Sequence, residues 1–269
     1  MAVSAFNPII CAKINAKELD QKIRVGAVSY LNTKPLLYGI ERSPVRAEMD
    51  LIIDYPASIA AMLLKDEIDI GLVPVAVIPF MAEYHVNGHY CIGSNGNVAS
   101  VCLFSEQPIE KIERVLLDYQ SRTSVQLARL LLKEYWKVNP ELVDAGEDFR
   151  NHIKGTTAGV VIGDRALEQR RISPYVYDLA GAWKAFTGLP FVFAAWISNK
   201  RLDPAFVQAF DEANRWGLEH IDEVVAANPY EVFDLRDYFT KHLDYQLDVP
   251  KRLGLEKFIQ YLQAFQKVG

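Results

Sequence analysis

Residues 51–75 constrain the fold more than any other stretch, because they read as strand, helix and strand with almost nothing between. Leu51-Ile52-Ile53-Asp54-Tyr55 is an apolar run of strand length, and Pro56 then opens a helix over residues 56–65. Proline suits that place, since a first-turn residue has no backbone N–H bond to lose. Residues 68–75, Ile-Asp-Ile-Gly-Leu-Val-Pro-Val, form the next strand. A helix between two strands returns the chain so that the second strand starts beside the first and runs the same way, and the spacing therefore predicts a parallel sheet.

The strand before this unit runs into a polar turn. Residues 23–28 are apolar around Gly26, and Ser29, Tyr30, Asn32 and Thr33 follow before Pro35 begins a helix. Ligands of open α/β sheets bind beyond the carboxyl ends of the strands, which makes this turn a candidate site. The plainer alternative is that Asn32 and Thr33 only cap the helix. Pro74 either closes a core strand or brings its backbone to the same cleft.

Downstream, residues 91–93 and 98–104 read as extended segments flanking a glycine turn, 114–118 as a strand, 159–163 as another and 191–198 as a third. Val125, Ala128, Leu132 and Tyr135 mark one face of a helix over residues 123–136. A short helix begins at Asp164, a longer one at Asp203-Pro204, another is expected over 230–242, and a last one starts near Pro250. The pattern alone fits either two α/β lobes or one large doubly wound sheet, and a chain of 269 residues, half of them hydrophobic, has core enough for both.

A net charge of −5 with dispersed basic residues argues against a nucleic-acid surface. Cys11, Cys91 and Cys102 form no CxxC pair and leave one over in any disulfide scheme, which fits a reducing compartment. The apolar stretch at residues 8–12 follows no basic residue, so no signal peptide is expected, and no run approaches the roughly 20 residues of a membrane span. The expected location is the cytoplasm.

Ser121-Arg122-Thr123-Ser124 lies where a strand meets a helix, and free N–H groups, hydroxyls and the helix dipole there favour an anion. The alternative is an ordinary cap with Arg122 solvated. Asp164, after Gly163, is either a cap or a polar wall. Trp183, Phe186 and Trp196 read as packing aromatics, while Thr187 and Gly188 are free to approach a ligand. Ser100 has no GxSxG elbow around it and by itself reads as a strand-edge hydroxyl. His85 and His89 stand four apart without an adjacent Glu and with Asn87-Gly88 between them, so no metal site is expected.

The run VGAVSYLNTKPL, residues 25–36, resembles the N-terminal signature of the chorismate dehydratases of the futalosine route to menaquinone. GSNGNVASV at 93–101, SRTS at 121–124, IGD at 162–164 and WKAFTGLPFVFAAW at 183–196 follow in that family's order, so the resemblance spans residues 23–196. It implies an α/β fold of the two-lobed type II periplasmic-binding-protein kind, with the ligand cleft between the lobes and C-terminal helices. The implied division is an N-terminal extension at 1–22, a discontinuous first lobe at 23–103 and 194–269, and a second lobe at 104–193. The implied activity is loss of water from chorismate to give 3-[(1-carboxyvinyl)oxy]benzoate, with chorismate as the small-molecule partner, no cofactor and no membrane or nucleic-acid partner. The rivals are the 1,4-dihydroxy-6-naphthoate synthase of the same pathway and a non-catalytic solute-binding protein for a small carboxylate. Asn32 and Ser100 match the family's asparagine and serine, which implies that they are the catalytic pair, acting by hydrogen bonding. Ser29, Tyr30, Thr33, Ser121, Arg122, Thr123, Ser124, Asp164, Thr187 and Gly188 are expected to bind the substrate.

Overall fold

The computed structural model describes residues 22–266, so the expected N-terminal extension lies, but for Lys22, outside the described residues. The first half of the chain runs β1 (Ile23–Val28), α1 (Lys34–Arg42), β2 (Met49–Asp54), α2 (Pro56–Leu64), β3 (Ile70–Pro74), β4 (His85–Ser94), β5 (Val101–Ser105), β6 (Arg114–Leu117) and α3 (Thr123–Glu134). It continues through β7 (Glu141–Asp144), β8 (Thr157–Ile162), α4 (Asp164–Gln169), β9 (Tyr175–Asp178), α5 (Leu179–Thr187) and β10 (Phe191–Ser198). The remainder is α6 (Pro204–Glu219), α7 (Ile221–Ala227), the single turn α8 (Leu235–Asp237), β11 (Asp244–Gln246) and α9 (Val249–Gln266).

These strands form two sheets, ordered β11-β4-β10-β3-β1-β2 and β7-β6-β8-β5-β9. The strand–helix–strand unit lies in a parallel arrangement as expected, but its two strands are not neighbours: β1 lies between β2 and β3 and pairs parallel with each. β3, β5 and β10 are buried along their whole length, which is why they read as unbroken apolar runs and not as alternating ones. β2 is an edge strand, and Ile52 and Ile53 on it are exposed.

The chain leaves the first sheet after Ser94, enters the second at Val101, and returns between Thr187 and Phe191. Val101, Cys102 and Leu103 were expected in the first lobe, but they pair with Ile162, Val161 and Val160 in the second sheet. Phe191 and Val192 were expected in the second, but they pair with Ser94 and Gly93 in the first. Backbone pairing decides the matter, since an interior strand has to satisfy its N–H and C=O groups within one sheet.

Trp183 and Trp196 are buried in the core. The Trp183 ring meets Phe191, Phe258 and Tyr261 edge-on, and its Nε1 donates to the Pro190 carbonyl at 3.2 Å, while Trp196 Nε1 donates to Asn214 Oδ1 at 3.1 Å. The helix expected over residues 230–242 does not form as such. The Asp234 carboxylate accepts from Asp237 N and starts only the single turn α8, a π-helical turn follows over Tyr238–His242, and β11 then joins the edge of the first sheet. The helix from Asp203 likewise breaks at His220 into α6 and α7. His85 and His89 lie on β4, whose extended backbone separates them.

α1 and α6 approach closely through glycines. A Cβ on Gly39 would lie 1.9 Å from the Ala213 carbonyl oxygen, and one on Gly217 would lie 2.0 Å from that of Pro35. Backbone cannot yield there as a flexible side chain would. Gly39→Ala is therefore expected to destabilise the fold by roughly 1–3 kcal/mol despite its better helix propensity. That corresponds to a thermal midpoint lower by several degrees, at ~2–4 °C per kcal/mol for a chain of this size. Calorimetry checks it, and an unchanged midpoint would contradict the close packing of the two helices.

Candidate functional site

The carboxyl ends of β1 and β3 open onto a narrow cleft of about 50 Å³ between the two sheets. Its polar lining comes from Asn32 and Thr33 after β1, from Ser100 at the outgoing crossing, and from Ser121, Thr123 and Ser124 ahead of and within α3. Val28, Ile92, Ile162 and Phe193 supply apolar walls. Among the described residues no Asp, Glu, His, Lys or Arg lines it. The amino ends of α1, α2 and α3 do, through Thr33, Pro56 and Thr123. Positive potential at this cleft thus comes from helix dipoles and neutral donors instead of formal charge, a combination suited to an anion with a flat apolar body.

Each central group is held by others. The Thr33 hydroxyl donates to Asn32 Oδ1 at 3.1 Å, and the Tyr245 hydroxyl donates to the Asn32 backbone carbonyl at 2.9 Å. With its amide oxygen already engaged, Asn32 has its NH₂ group left to give. Ser100 is 1% exposed and receives the Tyr238 hydroxyl on Oγ at 2.7 Å. The residue before it, Ala99, holds a left-handed φ of +65°. Such backbone persists in a non-glycine residue only where neighbours impose it. Here the imposing group is Asp178, whose carboxylate accepts from Val98 N at 3.1 Å, Ala99 N at 2.8 Å and the first turn of α5.

A second set of bonds joins the lobes. Leu31 N donates to Asp164 Oδ1 at 3.1 Å, Ala76 N to Thr123 Oγ1 at 3.2 Å, and the Tyr30 hydroxyl to Gln120 Oε1. The same Gln120 oxygen accepts from Arg165 at 2.8 Å, and Arg165 is anchored on both oxygens of Asp118 at 2.9 and 2.8 Å. The Tyr30 ring lies over Gly163, where φ is +64° and a Cβ would come within 3.1 Å of the ring. Burial pushes the Asp164 carboxyl above its ordinary range, against the Leu31 N–H and the nearby Lys34 charge. Burial also raises the Asp118 carboxyl, with Arg165 opposing, and lifts the Tyr30 phenol far enough that it stays a neutral donor.

Tyr30, Asn32, Thr33, Ser100, Ser121, Thr123 and Ser124 thus come together in one cleft. Five other expected residues do not line it. Ser29 is exposed, and its N–H donates to the Asp54 carbonyl at 3.1 Å, extending the sheet. Arg122 is exposed at the capping position of α3, so its charge faces solvent. The Asp164 carboxylate is turned to Leu31 as a tie between lobes. Thr187 and Gly188 close the carboxyl end of α5: the Thr187 hydroxyl donates to the Trp183 carbonyl at 2.8 Å and accepts from Leu189 N at 3.2 Å, and Gly188 supplies the left-handed cap at φ +76°. A helix carboxyl end repels an anion. Sequence reasoning missed Tyr238, Tyr245 and Gln120. Nothing local marks the two tyrosines among the 13 in the chain, and Gln120 was legible only as the neighbour of the SRTS turn.

A family model described as menaquinone biosynthesis matches residues 23–264. A chorismate dehydratase of Thermus thermophilus is 29% identical over 263 residues, covering 88% of this chain and 94% of that protein. Among solved structures, protein AF1704 from Archaeoglobus fulgidus superimposes with a TM-score of 0.73 at 14% identity, covering 91% of this chain and 98% of that one. The Candida albicans CA3427 product, described as having the generic periplasmic binding protein fold, gives a TM-score of 0.60 at 13% identity, with coverage of 91% and 90%. The two-lobed fold is therefore the periplasmic-binding-protein-like one.

Proposed function

We propose, from the premise that this chain belongs to the menaquinone biosynthesis family, that it is a chorismate dehydratase. It is a lyase, removing the ring C3 proton and the C4 hydroxyl of chorismate as water to leave 3-[(1-carboxyvinyl)oxy]benzoate. The observation that carries the reading, beside the relatives, is a cleft in which neutral donors and three helix amino ends surround an apolar slot. A six-membered carbon ring with one carboxylate on the ring and a second on its enolpyruvyl side chain fits that chemistry. The carboxylates go to helix amino ends, and the ring lies between walls such as Val28, Ile92 and Phe193.

The reaction is redox-neutral and ends in an aromatic ring, so its driving force lies in the substrate. What the protein supplies is orientation and a dry set of donors. Asn32 and Ser100 are the pair we assign to the reacting end, and Thr123, Ser124 and Ser121 the group at α3 that takes a carboxylate. The cytoplasm is the proposed location, and no helix among the described residues is long and apolar enough to cross a membrane. A cleft of about 50 Å³ is well below the roughly 300–1,000 Å³ of ligand pockets, so substrate enters by parting the lobes. The bonds from Leu31, Ala76 and Tyr30 to the second lobe are the ones that part and re-form.

Purified protein incubated with chorismate is expected to convert it to the aromatic product, followed by chromatography and the change in ultraviolet absorption. Chorismate recovered intact would overturn the reading. Tight binding without conversion would point to a solute-binding protein, and no binding at all to the naphthoate synthase of the pathway.

A further inference from the structure

The hydrogen bond from Tyr238 to Ser100 joins two fully enclosed hydroxyls: Tyr238 is 0% and Ser100 1% exposed. A serine hydroxyl has one proton to give and two lone pairs to receive. Tyr238, itself outside the cleft lining, fills a lone pair of Ser100 and commits its own proton in doing so. The serine proton is thereby left for an acceptor elsewhere, and Ser100 lines the cleft. Resting on the dehydratase reading, we infer that Tyr238 is a positioning residue that fixes Ser100 as a hydrogen-bond donor to the substrate.

Three further observations bear on it. Tyr238 begins the π-helical turn Tyr238–His242, which closes with Leu243 N donating to the Tyr238 carbonyl at 3.0 Å. Such turns are rare and gather at functional sites. The strained Ala99 backbone, tied to Asp178, fixes Ser100 along the chain, so that its Cα and its oxygen are set independently. The phenol itself is packed against the rings of Phe233 and Phe239. Burial raises its pKa far above the ordinary tyrosine value, the Ser100 bond pulling the other way and Asp164 adding to the rise. It therefore keeps its proton throughout the working pH range, acting as a fixed donor and not as an acid that protonates the leaving group.

The same C-terminal segment carries Tyr245, also buried, to the backbone carbonyl of Asn32. The eight residues Tyr238–Tyr245, legible in the sequence only as helix and loop, thus underpin both members of the central pair. In a chain of hydroxyls each bond polarises the next, so Tyr238 strengthens the bond Ser100 makes with the substrate as well as aiming it.

The test is a double-mutant cycle in steady-state turnover of chorismate, with circular dichroism and thermal midpoint as controls on folding. Tyr238→Phe keeps the ring and its aromatic contacts. It is expected to lower kcat about 10-fold or more while KM moves less than about threefold, because the aimed donor acts on the reacting group. In a Ser100→Ala background the same change is expected to cost nothing further, since the hydroxyl it aims is gone. A structural role predicts equal losses in both backgrounds, and that result, or an unchanged kcat in Tyr238→Phe alone, overturns the inference. Wild-type protein that leaves chorismate intact overturns the dehydratase reading and this inference with it, whereas an active wild type with additive losses overturns the inference alone.

Discussion

Asn32→Ala and Ser100→Ala are each expected to lower chorismate turnover at least about 10²-fold, the usual consequence of removing one well-placed donor from a closed site, while the protein still folds. Folding should survive because neither side chain fills the core. Asn32 is only half-buried on a single 3-10 turn, and Ser100 is small. The loss is large because no charged side chain among the described residues lines the cleft to compensate. Where a lysine or arginine shares the work, one neutral donor is dispensable; here each is a substantial part of the whole. Asn32→Asp sharpens the test. Thr33 already occupies the amide oxygen, so the exchange converts the free NH₂ into an acceptor facing a dianion. Asp at this position should therefore do no better than Ala. Steady-state assays alongside circular dichroism decide the matter, and near-normal turnover in both alanine variants would remove Asn32 and Ser100 from the mechanism.

The sequence carried the architecture wherever local chemistry and tertiary pairing agree. Residues 51–75 specify a parallel unit because Pro56 and the apolar runs leave no other period to follow. The SYLNTKP turn announces itself through polar residues stacked beyond a buried strand. The SRTS turn does so through its place ahead of a helix, although Arg122, its most conspicuous residue, faces solvent and the small hydroxyls face the cleft. Prediction failed where the deciding contact lies far along the chain. Thr187-Gly188 looked like a ligand loop, yet it is the capped end of α5, because whether a helix presents its amino or carboxyl end to a cleft depends on topology. Asp164 looked like a wall or a cap and proved to be a tie to Leu31, 133 residues away. Tyr238 reaches Ser100 across 138 residues, and no periodicity reports a partnership of that kind.

The second large effect concerns the base that takes the C3 proton. Among the described residues no histidine, aspartate or glutamate lines the cleft. The sequence's candidate carboxyl, that of Asp164, is bound to Leu31 N and made less acidic by burial. A raised carboxyl pKa beside a cleft is often the mark of a general base. Two facts weigh against it here: the group is turned into the lobe contact, and an ionised carboxylate would repel a substrate that already carries two. Tyr30, which does line the cleft, keeps its proton on the way to Gln120. We propose that the base is the substrate's own enolpyruvyl carboxylate, folded over the ring when the lobes close. An acceptor tethered in that way acts at an effective concentration of about 10⁵ M or more when well oriented. Asp164→Asn is accordingly expected to keep turnover within about 10-fold of wild type, its cost falling on closure, since an amide oxygen still accepts from Leu31. A chorismate analogue lacking only the side-chain carboxylate should bind through its ring carboxylate yet lose turnover by several orders of magnitude. Should Asp164→Asn bind substrate normally and be dead while the analogue still reacts, the proton goes to the protein and substrate assistance is refuted.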